Sequence, residues 1–372
     1  MVTADVLVER ARASAGLSDL GPTGWQTGLD HLLASVARDV RDGEAEARIE
    51  ALIVDRLVTR LRVEAWYAEH GAEAQHRVQS PLVVIGLPRT GTTALHYLLA
   101  LDSRFRYLRS WELKDPVPPP DIATEATDPR RPRDGPSPNV RHIADIDGPA
   151  EDFPIHALAF DHAELTLPVP SHSRWWRTAS HDSLFRYHER ILRLLHSHRP
   201  PEAWLLKMPS YLFLLPEFIA HYPDARFVMT HRDPVPAMAS TCSTVAAARR
   251  KRTPTWSPDA DFGPGLLEHW AEGMRSGLAA RDALGDERFI DVAQHELEAD
   301  ALGTAERIYD FAGLTLDDDV RVAMAKWAAA NQRGSRGAHR YTAEEYGLDP
   351  AEINDSFAPY LERYGVLCGR AD

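Results

Sequence analysis

Cysteine is almost missing: Cys242 and Cys368 are the only two in 372 residues. So few thiols exclude a disulfide framework and point to a reducing compartment. Positive charge is also short. Forty-two basic residues against 55 acidic ones leave a net charge of −13, which argues against bulk attraction to nucleic acid or to an anionic membrane. An anionic ligand would have to be held by a local pocket working against that field. No apolar run approaches the about 20 residues of a spanning helix, and Met1 to Arg12 mix acidic with basic residues. Neither a signal peptide nor a membrane span is expected, and the expected location is the cytoplasm. Internal repeats and low-complexity tracts are absent too. What is present, 44% hydrophobic and 26% charged residues, is ordinary globular material with enough length for a large core.

The organisation reads as alternating strands and helices. Residues 1–78 look helical, with Ile53, Leu57, Leu61 and Ala65 recurring every four residues and Asp55, Arg56, Arg60 and Arg62 on the other faces. Leu82-Val83-Val84-Ile85, Trp204 to Lys207, Arg226 to Thr230 and Phe289 to Val292 read as buried strands. Helices are expected over 183–198, 212–221, 302–313, 317–330 and 350–364, and one begins near Pro234, where a proline suits a helix start. The run Arg249 to Arg252 suits the C-terminal end of that helix, against its dipole. Prolines crowd residues 115–140, an expected surface excursion, and 141–180 is rich in His, Trp and Pro, so irregular or short-helical cover over a pocket is expected there. The fold class is therefore α/β, a mainly parallel sheet with helices on both faces. It divides into an N-terminal helical region, 1–78, and an α/β domain, 79–372, that carries a covering insertion at 115–180. Ligands on such sheets gather at the carboxyl ends of the strands.

The chemistry starts at Gly86-Leu87-Pro88-Arg89-Thr90-Gly91-Thr92-Thr93. Strand, glycine loop and helix start make an anion cradle, with backbone N–H groups and the helix dipole facing the ligand. The spacing matches the phosphate loop Gly-x4-Gly-Lys-[Ser/Thr], except that Thr92 takes the lysine position. The cation available is Arg89, whose fork can bond two anionic oxygens. With Thr90, Gly91, Thr92 and Thr93, that cradle suits a nucleotide 5′-phosphate without an obligatory metal. No apolar strand ends directly in an Asp that would hold Mg²⁺, since Arg226–Thr230 runs into His231-Arg232-Asp233. A second anion site is readable there: Arg232 follows a strand, and Ser240 lies two turns along the next helix.

Together "GLPRTGTT" and "RFVMTHRDPVPAMAS" resemble the 5′-phosphosulfate loop and 3′-phosphate motif of sulfotransferases that use 3′-phosphoadenosine 5′-phosphosulfate (PAPS). Arg232 and Ser240 keep that family's eight-residue interval. "WLLKMPSYLFLLP", Trp111-Glu112 and "HRYTAEEYGL" extend the resemblance to residues 50–365, in the manner of its bacterial branch. The resemblance implies the P-loop-type fold, PAPS as co-substrate with adenosine 3′,5′-bisphosphate as product, and no metal. It implies that Arg89 relieves charge on the sulfuryl group and the leaving phosphate, that Lys207 touches the bridging or a sulfonate oxygen, and that Arg336, in the loop Gln332–Gly337, wraps the 3′-phosphate.

Three departures matter. Pro209 stands where cytosolic relatives carry the histidine base, so the carboxylate base of the tyrosylprotein branch, at Glu112 here, is the expectation, with Glu151, His142 and His156 as runners-up. Ala94 replaces the tryptophan that stacks on adenine, and the family's adenine-contacting tyrosine is not evident near Gln294 and His295. The expected acceptor is a hydroxyl on a small, largely apolar molecule, near Phe153, Phe160, Trp175, Trp176 and Tyr211. The residues define neither that molecule nor the oligomeric state. A P-loop kinase using ATP–Mg²⁺, or a non-catalytic nucleotide-binding protein, are the alternatives.

Overall fold

The computed structural model describes residues 2–79, 81–131, 147–199, 202–331 and 342–370. Five short segments form one sheet: β1 (Leu82–Gly86), β2 (Phe105–Arg106), β3 (Ala203–Lys207), β4 (Arg226–His231) and β5 (Phe289–Ala293), in the order β2-β3-β1-β4-β5. Every neighbouring pair is parallel. Both faces are covered, as the continuous apolar strands require. Val83 and Ile85 pack with Leu206, Phe227 and Met229 and with Leu266, Trp270 and Met274 of the helix Phe262–Leu284. Leu82 and Val84, alternating to the other face, pack with Leu205, Val228 and Val292 and with Leu95, Leu98 and Ile308. This is the expected α/β, P-loop-type architecture.

Four strands lie within a residue of where the sequence puts them. β2 was not expected, and two residues are too few for any periodicity to show. The 23-residue helix Phe262–Leu284 was also passed over, although Leu266, Leu267, Trp270, Met274 and Leu278 recur at three- and four-residue steps. The helix expected over 350–364 is two helices, Pro350–Ser356 and Ala358–Tyr364. Pro359 has no N–H to continue the first and suits the opening turn of the second.

At the N-terminus the helices Ala4–Ala15, Trp25–Asp39 and Gly43–His70 enclose Leu7, Leu29, Leu32, Ile53, Leu57 and Leu61 together with Phe160, Leu167 and Val169. Each such side chain contributes about 1.5–3 kcal/mol by leaving water. Arg56 and Arg60, expected on outer faces, are buried, because the stretch 158–169 packs on that side of the helix. Arg56 pairs with Glu164 at 3.0 Å. Arg60 donates to the carbonyls of Leu20, Leu158 and Pro22.

The chain runs from β1 to β2 and β3 on one side and then to β4 and β5 on the other. Such a reversal opens a crevice at the carboxyl end of the central strand. Register sets the crevice walls: Val84 lies beside Lys207, and Gly86 beside Thr230.

Candidate active site

The loop after β1 turns through two left-handed positions, Arg89 at φ 70° and Gly91 at φ 95°. Thr90 holds the turn from inside, its hydroxyl 2.7 Å from Leu87 O and 2.6 Å from Thr230 Oγ1. Gly86 permits that approach, since a Cβ there would lie 2.6 Å from the Thr230 carbonyl oxygen. The helix Thr92–Leu99 then starts at Gly91, which has no side chain to cap it. Its first N–H groups accordingly lack intrahelical acceptors and face the crevice with the positive end of the dipole.

The glycine loop and the segment from Arg232 to Ser240 meet. Arg89 Nε donates to Ser240 Oγ at 2.9 Å, and Arg232 Nη1 donates to the Arg89 carbonyl at 2.8 Å. Ser240 is placed by the helix Pro234–Arg252, whose N-cap Asp233 accepts from Val235 N–H at 2.8 Å. Arg370, near the C-terminus, bonds the same Asp233 at 3.1 Å. Arg249 does end this helix, but buried, bonded to the Leu165 carbonyl at 2.9 Å. Gln294 approaches from the end of β5, its Cγ 3.5 Å from where a Cβ on Gly91 would sit.

On the other side of the loop, Lys207 ends β3 with its ammonium 3.3 Å from Thr93 Oγ1 and 2.5 Å from Glu151 Oε1. Lys207 is 3% exposed and Glu151 45%, so the pair is rooted in the protein and opens on the carboxylate side. Residues 89, 93, 151, 207, 232 and 240 are thus linked by hydrogen bonds around the loop that follows β1.

Glu112 has a different setting. Its carboxylate has no exposed surface and accepts from Arg106 Nη2 at 2.8 Å, Arg109 Nε at 2.7 Å and Arg109 N–H at 3.2 Å. Those donors make it the keystone of a buried arginine cluster that continues to Glu125. His156 is also fully enclosed, among Phe185, His188 and Tyr211. Burial drives its pKa well below the ordinary histidine value, so it sits neutral. His142 and Arg336 lie outside the described residues. Of the aromatics expected at the acceptor, Phe160, Trp176 and Tyr211 are core residues with no exposed surface, whereas Phe153 and Trp175 are only partly buried.

A parallel sheet with a glycine loop, two arginines and a lysine at its carboxyl edge defines a P-loop-type α/β protein. The chain belongs to the sulfotransferase family, whose profile it matches over residues 81–318, and it is a sulfotransferase. It is similar over nearly its whole length to sulfotransferase STF9 from Mycobacterium avium, at 30% identity and a TM-score of 0.88, covering 98% of this chain and 97% of that one. Sulfotransferase STF1 from Mycobacterium tuberculosis H37Rv is 28% identical, with a TM-score of 0.83 and coverage of 96% and 99%. Omega-hydroxy-beta-dihydromenaquinone-9 sulfotransferase Stf3 from Mycobacterium bovis is 22% identical over 314 residues, 77% of this chain and 75% of that protein.

Proposed function

We propose that this sulfotransferase moves a sulfuryl group from PAPS to a hydroxyl of a small, largely apolar acceptor by in-line displacement. The observation that carries the reading is the joint between Arg89 and Ser240, with Arg232 bonded to the Arg89 backbone. It puts two cationic side chains, a hydroxyl and an uncapped helix start within one span, as a nucleotide with separate 5′ and 3′ anionic groups requires. Arg89 fits the task for a further reason: its terminal nitrogens have no acceptor among the described residues. In this reading Gly91, Thr92 and Thr93 supply backbone N–H groups to the 5′ side, while Thr90 shapes the loop. Arg232 and Ser240 hold the 3′-phosphate, with Arg336 as a further contact. Gln294 borders the loop and is the side chain we assign to the nucleotide base in place of the missing tryptophan.

The reaction needs a proton acceptor for the attacking hydroxyl and charge relief on the departing phosphate. We assign the first to Glu151 instead of Glu112. Glu151 opens toward the crevice, while the Glu112 oxygens are taken up by Arg106 and Arg109. Arg89 and Lys207 supply the second. As Glu151 takes the proton it stops neutralising Lys207, whose charge then becomes available to the leaving group. No metal is assigned a role.

The apolar character of the acceptor rests on Phe153, two residues from Glu151, and on Trp175. The relative named for an omega-hydroxy dihydromenaquinone is in keeping with it. We read residues 1–78 as a helical region on the sulfotransferase domain 79–372, with 115–180 covering the acceptor. Among the described residues no helix is long and apolar enough to cross a membrane. A cytoplasmic location belongs to the proposal, resting on the two free cysteines.

Calorimetric titration tests the donor. Adenosine 3′,5′-bisphosphate should bind without metal; binding of ATP–Mg²⁺ with none of the bisphosphate would instead favour a kinase. A mass-spectrometric screen of hydroxylated lipids and aromatics for the gain of one SO3 then identifies the acceptor.

A further inference from the structure

The strand that presents Lys207 runs past the end of its outer neighbour. β2 pairs with β3 at Ala203 and Trp204, so among the described residues no strand lies beside the outer edge of β3 at Lys207. Asp152 takes that place. Its N–H donates to the Lys207 carbonyl at 3.3 Å, and its Oδ1 accepts from the Lys207 N–H at 3.4 Å. A single residue therefore takes both backbone groups that a longer β2 would have satisfied.

The second carboxylate oxygen is tied into the core. Oδ2 accepts from the Tyr211 hydroxyl and lies 3.4 Å from His188 Nε2. His188 Nδ1 in turn lies 2.8 Å from the Tyr222 hydroxyl. All four residues are buried. One placement of protons satisfies the chain: Tyr222 donates to His188 Nδ1, His188 donates from Nε2, and Tyr211 donates to Asp152. Burying a carboxylate is costly unless its acceptors are used in full, and here they are used to hold one backbone position.

That position matters because Asp152 follows Glu151 directly. With Asp152 bonded to both backbone groups of Lys207, the preceding residue is delivered beside the same lysine, where Oε1 reaches Nζ at 2.5 Å. We propose that Asp152, braced by Tyr211 and His188, is a positioning residue that stands in for the missing strand beside β3 and so sets the Lys207 ammonium between Thr93 and Glu151. The inference rests on the reading of Lys207 as a group that touches the reacting atoms.

Kinetics in two backgrounds test it. Asp152→Asn keeps the shape but puts an amide where the carboxylate accepts. Displacements of this kind cost about 10²-fold in rate, so kcat should fall by about 10–100-fold while bisphosphate affinity at Arg232 and Ser240 stays within about twofold. In a Lys207→Met background the same substitution should cost several-fold less, keeping only the part due to displacing Glu151, because residues acting as one unit are not additive. An equal loss in both backgrounds overturns the proposal. Tyr211→Phe, which removes one brace and leaves the backbone bonds, should give a smaller loss that likewise shrinks with Lys207→Met. It decides the matter if Asp152→Asn does not fold. Glu151→Gln separates the two readings: an unchanged kcat there removes Glu151 as the base, while the Asp152–Lys207 comparison still decides how the lysine is placed.

Discussion

Arg89 Nε donates to Ser240 Oγ at 2.9 Å, across 151 residues of sequence. This bond joins the glycine loop after β1 to the helix after β4, so the two anion motifs are one surface. Arg232 adds a second tie to the same loop through the Arg89 carbonyl, so a ligand spanning both would lock the loop to the helix.

That joint predicts how nucleotide binding divides. Hydrogen bonds to charged groups are worth about 1.5–3 kcal/mol, so Arg232→Ala should weaken adenosine 3′,5′-bisphosphate by about 10–100-fold. Ser240→Ala should weaken it less, with the affinity for inorganic sulfate unchanged in both. Calorimetry on the three proteins reads this directly. Unaltered bisphosphate affinity in Arg232→Ala would remove that residue from the site.

The reacting side of the crevice should respond in rate. Loss of one preorganised charge at such a site costs about 10²–10³-fold, so Lys207→Met should lower kcat by that order with little change in bisphosphate affinity. Glu151→Gln should lower kcat by about 10²–10⁴-fold, the usual span for a general base. If single-turnover rates survive Glu151→Gln, the base lies elsewhere.

Glu112 should matter for folding. Removing one partner of a buried ion pair leaves an uncompensated charge and costs about 3–5 kcal/mol. Glu112→Ala would leave Arg106 buried without its carboxylate and Arg109 with Glu125 alone, so its unfolding midpoint in urea should drop markedly while the folded fraction keeps its turnover. A normal midpoint with abolished turnover would return the base to Glu112.

Acid should destabilise the protein well before its carboxylates titrate. Burial pushes His172 and His269 down to about 3, and drives His96 and His156 well below the ordinary value. In the unfolded chain each returns to about 6.5. Between those values the unfolded state binds more protons, so stability is fully present above pH about 6.5 and is lost as pH falls below it. Each histidine contributes about 1.4 kcal/mol per pH unit. Urea midpoints should therefore decline from pH about 6.5 downward, and His269→Leu should flatten the slope. A profile level to pH about 5 would show that these rings accept protons in place.

Much of this was legible in the sequence because the signals are local. β1, β3, β4 and β5 are short apolar runs, and a strand buried on both faces needs nothing else to be seen. The cradle at Gly86 to Thr93 and the interval from Arg232 to Ser240 are likewise matters of residue type and spacing. The helix Phe262–Leu284 carries its apolar period openly as well.

The sequence alone therefore determined the fold class and the spacing of the glycine loop and of Arg232 and Ser240, since backbone geometry and apolar period act over a few residues. Only the tertiary structure decided what surrounds each polar side chain, because charge and hydrogen bonding depend on neighbours brought from elsewhere in the chain. Glu112 and Glu151 are the same residue type. One is enclosed by Arg106 and Arg109, while the other opens beside Lys207, 56 residues away. Asp152 had no sequence signal of its own, because its role exists only where β2 stops short of Lys207.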